Sequence, residues 1–159
     1  MQNSTEIFSI ALGLQEPWHV KKVIFNKDNL QLDIYLAFTK GYKFKNKDGA
    51  ECTAHGIIEM NWQHLNFFQH KCYLHAKVPE VKQADGKVKT QAVPWATKES
   101  GFTLLFEDSS MLLTQNKLPA NKAAKILKTY PNRLYNMINY WIYIANQNNT
   151  IQYLSRVNP

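Results

Sequence analysis

The residues of this 159-residue chain that could do chemistry are few: five histidines, two cysteines and twelve acids. Cys52-x-x-His55 and Cys72-x-x-His75 together look like four zinc ligands. The second pair lies in an alternating run that reads as a strand. Residues three apart on a strand point to opposite faces, so Cys72 and His75 cannot share one ion. A buried thiol beside surface histidines is the simpler reading, and no metal is expected. His64 and His70 flank the aromatic run in WQHLNFFQH, and either could serve Cys72 as a base. Neither comes with an oxyanion hole or a third, orienting group. Glu107 and Asp108 are neighbours on a helix and splay apart. No acid follows them, so the last third cannot build a carboxylate triad for two-metal cleavage. The six glycines are scattered and form no phosphate loop. These patterns predict no catalytic residue, no cofactor and no enzyme.

What remains is a chemistry of binding. The stretch LPANKAAKILKTYPNRLYNMINYWIY, residues 118–143, reads as two short helices around a tight break. Residues 109–159 carry six Lys/Arg and no Asp or Glu, whereas residues 1–108 carry thirteen Lys/Arg against twelve Asp/Glu. Nearly all the excess charge therefore sits in the last third. A local positive field on a compact helical unit favours polyanions, with an affinity that falls steeply with salt. Lys122, Lys125 and Lys128, three apart, would lie near a phosphate backbone. Asn132, Arg133, Asn136, Asn139 and Tyr140 form the expected exposed side of the following helix. Asn can pair bidentately with adenine and Arg with guanine, so these residues suit base edges. Double-stranded DNA is the expected partner. A unit of this size binds weakly alone, which makes a homodimer on repeated half-sites a natural extension.

The elements that must hold these residues follow from periodicity. Residues 3–14 predict an amphipathic helix capped by Asn3, with Ile7, Ile10, Ala11 and Leu14 on one side. Residues 19–25 and 30–38 predict a hairpin around the turn-prone NKDN. In the second strand Leu30, Leu32, Ile34, Leu36 and Phe38 alternate with polar or small residues, so one face is buried. Residues 40–51 read as a loop, 57–62 and 70–78 as strands, and 83–89 as a polar turn. In 70–78, Cys72, Leu74, Ala76 and Val78 share one face. After TKESG the period changes from 2 to 3.6. Ser100 is placed to cap a helix reaching about residue 116, with Phe102, Leu105, Phe106, Leu112 and Leu113 as its stripe. Helices over about 120–128 and 131–147 complete a three-helix unit, the last starting at Pro131. Its stripe is Leu134, Met137, Ile138 and Trp141, facing Ala123, Ala124 and Leu127. This spacing is that of a helix-turn-helix. Lys128 stands where its turn commonly has Gly, and a positive φ there carries a cost. No internal repeat is evident. The boundaries read as 1–98, 99–147 and a tail of 148–159 that is either a short strand or loose.

Composition agrees with this α+β reading. At 45% hydrophobic and 13% aromatic residues the chain can form a packed core. Two cysteines are too few for a disulfide framework and suit a reducing compartment. The N-terminus lacks the features of a signal peptide, and no run approaches the roughly 20 apolar residues of a membrane span. A cytoplasmic protein without membrane contact is expected.

Three segments carry a resemblance: FSIALGLQEPWHV, NWQHLNFFQHKCYLHAKVPEV and AVPWATKESGFTLLFE. In order and spacing, over about residues 7–140, they resemble the N-terminal region of insertion-sequence transposases of the ISL-three family. WQHL…F and PWA…SGFT are the more specific motifs. The resemblance implies a small zinc-ribbon-like antiparallel β domain, then a helix-turn-helix that binds terminal inverted repeats. In such transposases an RNase-H-like domain with three metal-binding carboxylates follows, and this chain stops where it would begin. The family's ribbon ligands align with Lys45 and Asp48, then with about Gln83 and Gly86, none of them suited to zinc. The resemblance therefore implies a ribbon in which packing, through Trp62, Phe67, Phe68 and Trp95, replaces the metal.

The expectation is thus a non-catalytic, sequence-specific DNA-binding protein of mobile-element type. The alternative is a protein-interaction module, or an inhibitor of a nuclease or phage-defence complex, that reuses the same fold for a protein partner.

Overall fold

The computed structural model describes residues 3–157, and their side chains through 148. It divides into two compact units, Met1–Leu104 and Leu105–Pro159. The architecture is α+β, with α1 and all the strands in the first unit and three further helices belonging to the second.

The first unit is built on one sheet. β1 (Trp18–Asn26) and β2 (Gln31–Phe38) form the expected antiparallel hairpin. β5 (Gly56–Phe67) and β6 (His70–Lys82) form a longer one, and both strands outrun their sequence-based limits. The spatial order is β1-β2-β6-β5, with the short β7 (Val88–Thr90) also on β6. The central pair β2 and β6 runs parallel, Leu32 beside Cys72 and Ile34 beside Leu74. The sheet is therefore mixed, which corrects the expectation of a wholly antiparallel domain. Period-2 alternation states which face of a strand is buried but not which strand lies next to it or in what direction.

Alternation does fix the core. Leu32, Ile34 and Leu36 of β2 and Cys72, Leu74, Ala76 and Val78 of β6 are buried on one face. Trp18, Val20, Trp62 and Ala96 complete it, and the half-buried Trp95 meets Trp18 and Trp62 edge-on with ring centroids 4.9 and 5.4 Å apart. Each fully buried large side chain is worth about 1.5–3 kcal/mol. β1 keeps its place by a bulge at Lys21, where the register shifts between Val20 and Lys22. The extra residue puts Lys22 beside Tyr35 and Val23 beside Ile34, so Val23 still packs against the core although the sequence breaks strict alternation.

α1 (Ser4–Ala11) is capped as expected, the Asn3 side chain accepting from the Glu6 N–H at 3.0 Å. Its inward face is different. Of the expected set only Leu14 packs on the core; Ile7, Ile10 and Ala11 are exposed, and Phe8 and Leu12 pack inward in their place. The Ser9 hydroxyl accepts from the Val20 N–H at 3.0 Å, which fixes the helix about its axis with Phe8 inward.

Residues 40–51, expected as loop, contain the small hairpin β3 (Phe44–Lys45) with β4 (Glu51–Cys52), and Phe44 is buried. Its tip, Asn46-Lys47-Asp48-Gly49, has a twin in Gln83-Ala84-Asp85-Gly86 between β6 and β7. In each, the Gly has a positive φ (82° and 81°) and donates to the carbonyl three residues back. In each, the first residue donates across the loop, Asn46 to Ala50 at 2.9 Å and Gln83 to Lys87 at 2.8 Å. Only Gly takes that left-handed position without strain, so a shared Asp-Gly gives a shared turn. The buried Gln83 side chain accepts from the Lys47 N–H at 3.0 Å and so joins the two tips. Phe67 and Phe68, expected to pack there, are exposed at the β5 to β6 turn, Phe68 by 86%.

The second unit contains α2 (Leu104–Gln115), α3 (Ala120–Leu127) and α4 (Pro131–Val157). α2 starts later than expected. Ser100 does not cap it, and its hydroxyl instead accepts from the Phe102 N–H at 3.1 Å. The α2 stripe is rotated as well. Phe106, Glu107 and Ser110 are buried, while Leu105 and Leu112 are more than half exposed. α4 runs ten residues past its expected end at 147. The expected tail of 148–159 is helical to Val157, and residues 158 and 159 lie outside the described residues. No helix of the described residues is long and apolar enough to cross a membrane.

Candidate nucleic-acid interface

The surface to be tested lies on α3, its following turn and the first half of α4. α3 buries Ala123, Ala124 and Leu127. Two alanines on one face remove bulk where another helix must come close. The helix stops at Lys128, which takes the left-handed conformation at φ 54° and ψ 48°. The Thr129 N–H then donates to the Ala124 carbonyl at 3.0 Å. A side chain in that conformation costs about 1 kcal/mol relative to Gly. Pro131 opens α4 without losing a bonded N–H, because the first helical N–H has no intrahelical partner.

α4 buries Leu134, Met137 and Ile138, with Trp141 half-buried in line with them. The Trp141 indole N–H donates to Glu107 Oε2 at 2.9 Å. Glu107 is therefore no idle surface acid. It is buried in α2 and fixes which side of α4 turns inward. The sequence held a signal for this pairing, since a stripe tryptophan needs an acceptor for its N–H. Ser110 is buried at no cost because its hydroxyl donates to the Phe106 carbonyl at 2.7 Å.

With that face fixed, Asn132, Arg133, Asn136, Asn139 and Tyr140 all stand exposed on the other side of α4. Lys122 and Lys125 are exposed one turn apart on α3. Lys128 differs from them: it is the half-buried cap that ends the helix and not a third rung on its face. Tyr143, 60% exposed, continues the α4 face, and Tyr130 in the turn is also exposed. Lys117, exposed and left-handed at φ 65°, sits in the turn between α2 and α3. None of these three was singled out as a site residue from the sequence. Tyr143 could have been, since it follows Asn136 at helical spacing. The Arg156 side chain, counted in the charge excess, lies outside the described side chains.

The groups considered for catalysis or metal binding behave differently. Cys72 is buried in the core while His75 stands on the opposite sheet face, 2.7 Å from Asp33 Oδ1. Cys52 and His55 share a shallow cleft with Lys43 and Lys82. Among the described residues no group of three or more His, Cys, Asp or Glu could hold a metal ion. His64 stands across from Cys72 in the register of β5 and β6. Burial holds the His64 imidazole down to about 4, and its Nδ1 is hydrogen-bonded to Thr103 Oγ1 at 2.7 Å. Burial, with the Asp33 charge adding to it, pushes the Cys72 thiol up to about 12. A thiol in that state is protonated near neutrality and is a poor nucleophile.

In comparisons with known proteins, no family model, curated protein or solved structure matches this chain.

Proposed function

We propose that the chain is a non-catalytic, sequence-preferring binder of duplex DNA that reads it with α3, the turn and α4 as a helix-turn-helix. One observation carries the reading. The polar face of Asn132, Arg133, Asn136, Asn139 and Tyr140 is exposed opposite the buried Leu134, Met137 and Ile138, in a stretch without a single acid. Exposed Lys122 and Lys125 supply phosphate contacts and sequence-independent affinity, and the amides and Arg133 supply preference among bases. The resemblance to the end-recognition region of ISL-three transposases supports a target of terminal-repeat type and a cytoplasmic setting. On that reading the paired Asp-Gly tips are the ribbon's two knuckles, with the Gln83 hydrogen bond where the family has zinc.

Selection of bound duplexes from a random pool, at about physiological ionic strength, tests this directly. One enriched motif is expected. Lys122→Ala with Lys125→Ala weakens binding across all sequences and lowers the salt slope by about one to two units. Asn136→Ala relaxes preference at one position at a cost of about 1–3 kcal/mol. Failure to enrich any motif, with binding indifferent to salt, overturns the proposal.

A second reading, a protein-interaction module or inhibitor, rests on a different observation. The end of the sheet shows Phe25, Phe67 and the 86% exposed Phe68 together, with ring centroids of 5.8 and 5.0 Å. Apolar patches of this kind mark protein contacts. Retention of a protein partner in high salt, with little affinity for duplex, would favour it.

A further inference from the structure

The two edges of the sheet are finished differently. β1 is blunted: it bulges at Lys21, exposes Lys21 and Lys22, and has its Val20 N–H taken by the Ser9 hydroxyl. β5 has none of these devices. Its register with β6 is unbroken from Gly56 to His64, so every second residue turns its main chain away from β6. Gln63 shows which set that is. Its N–H donates to the Gly101 carbonyl at 2.9 Å, and its carbonyl accepts from the Thr103 N–H at 3.0 Å. Residues 101–103 thus lie on the outer edge of β5, with Phe102 parallel to Gln63. By the same period Ile57, Glu59 and Asn61 point their N–H and C=O groups outward. Among the described residues no protein group bonds to them. Pro79, opposite Ile57, agrees: it has no N–H, and its carbonyl accepts from Gln91 on the far side. Beside these groups Ile57 and Ile58 are 54% and 39% exposed.

We infer that this edge, from Ile57 to Asn61, takes an extended segment of another protein as an added strand. The main chain selects the class of ligand. A row of alternating donors and acceptors, repeating at about 6.8 Å, is matched by another extended main chain. A phosphate backbone offers acceptors alone. The chain's own residues 101–103 already use the same edge in this way at Gln63. The side chains set the character of the added strand. Ile58 and Met60 lie beside Val78 and Ala76 on the core face, so the residues laid next to them are apolar. On the other face Ile57 calls for an aliphatic neighbour and exposed Glu59 for Lys or Arg. Opposite charges across a strand pair are favourable and like charges are not. That rule disfavours a second copy of the chain, because the two-fold register pairing residues 57–61 with themselves sets two Glu59 carboxylates face to face. The inference goes beyond the DNA reading, and it uses neither that surface nor the aromatic end of the sheet.

Fluorescence anisotropy of a labelled, end-blocked peptide, Ser-Val-Val-Lys-Val-Thr-Ser, titrated with the full chain tests the inference. Saturable binding is expected within about millimolar protein, weak because the peptide must be ordered as it binds. Methylating one alternate set of peptide nitrogens removes the donors that face β5 and abolishes binding. Methylating the other set leaves most of it. Glu59→Lys weakens binding at least tenfold, and changing the peptide's Lys to Glu restores it. That rescue also shows that the variant is folded. No saturable binding, equal loss with either methylated set, or indifference to Glu59→Lys overturns the inference. So does self-association of the chain that the peptide reverses, which would make a second copy the occupant. Lys122→Ala with Lys125→Ala leaves peptide binding unchanged, and duplex selection uses no peptide. A failure here and a failure of the DNA reading are therefore distinguishable.

Discussion

The two units handle charge in opposite ways. The sheet unit holds all five histidines, both cysteines and three of the four tryptophans, and it mixes thirteen Lys/Arg with ten Asp/Glu. Its reactive groups are engaged by their surroundings: Cys72 in the core, His64 on Thr103, His75 on Asp33. The helical unit has six Lys/Arg, two acids and no histidine. One of those acids, Glu107, is turned inward onto Trp141. The other, Asp108, is exposed, on a surface otherwise of positive charge, amides and exposed aliphatic and tyrosine side chains. One unit therefore uses its polar chemistry to hold a structure, and the other displays it. Perturbations of the core and of pH should register in the first unit, and changes of salt in the second.

The sharpest break of that comparison is Trp62→Ala. Trp62 is 1% exposed and packs edge-on to Trp95 in the sheet core. Removing a buried indole costs about 3–5 kcal/mol, from lost transfer and from the cavity left behind. Urea unfolding followed by the fluorescence of the remaining tryptophans should show the loss. Lys122→Ala with Lys125→Ala should leave the same unfolding curve within about 0.5 kcal/mol of wild type, since both lysines are exposed. If the lysine variant destabilised as much as the tryptophan variant, the division between holding and displaying would collapse.

The next effect is acid sensitivity confined to the sheet unit. The folded His64 value of about 4 lies below its ordinary 6.5 because burial disfavours the charged ring. Above pH 6.5 the imidazole is neutral in both states and contributes nothing to the pH dependence. As pH falls from 6.5 towards 4 the unfolded chain takes up a proton that the folded one refuses, and stability declines. The full loss is of order 3 kcal/mol, at about 1.4 kcal/mol per pH unit. Unfolding of the wild type and of His64→Gln, compared at pH 7 and pH 4.5, should show a smaller decline in the variant. An equal decline in both would remove His64 as the cause.

The same contrast explains what the sequence made legible. Where a buried face is wholly apolar, pattern suffices: Leu32, Ile34 and Leu36 of β2, Cys72, Leu74, Ala76 and Val78 of β6, the alanines of α3 and the Leu134, Met137 and Ile138 stripe are all buried as their periodicity requires, whereas Leu30, expected with the β2 set, lies in the turn before it and is 42% exposed. The left-handed Lys128 followed from the need for a tight turn. Where a polar side chain is satisfied internally, pattern misleads. On α2, hydrophobicity alone favours Leu105 and Leu112, but Glu107 and Ser110 go inside because Trp141 and the Phe106 carbonyl satisfy them. Ser9 sets the rotation of α1 in the same way. The parallel pairing of β2 with β6 was beyond reach, since nothing local encodes a neighbour so distant in the chain. The continuation of α4 was underestimated because Asn and Gln are indifferent helix formers, although no breaker interrupts them. At the candidate site the residue types and their faces were legible, whereas the acid that orients them was not.

The smallest expected effect concerns the twin Asp-Gly tips of the sheet unit. If Gln83 holds them together, Gln83→Ala should cost about 1–2 kcal/mol. That figure combines one net hydrogen bond with the space left by a buried side chain. Gln83→Glu keeps an acceptor at the same reach and should lose less. A chelator should change neither protein, because the joint is a side-chain amide on a backbone N–H and Lys45, Asp48 and Gly86 around it offer no thiolate or imidazole. A melting temperature that fell with chelator and recovered with zinc would mean that the tips are joined by metal through ligands other than these. The comparison would then need redrawing, with the sheet unit holding a cation and not merely its own polar groups. Unchanged melting in Gln83→Ala would instead mean that the two turns stand independently, each stabilised by its own Gly and its own cross-loop hydrogen bonds.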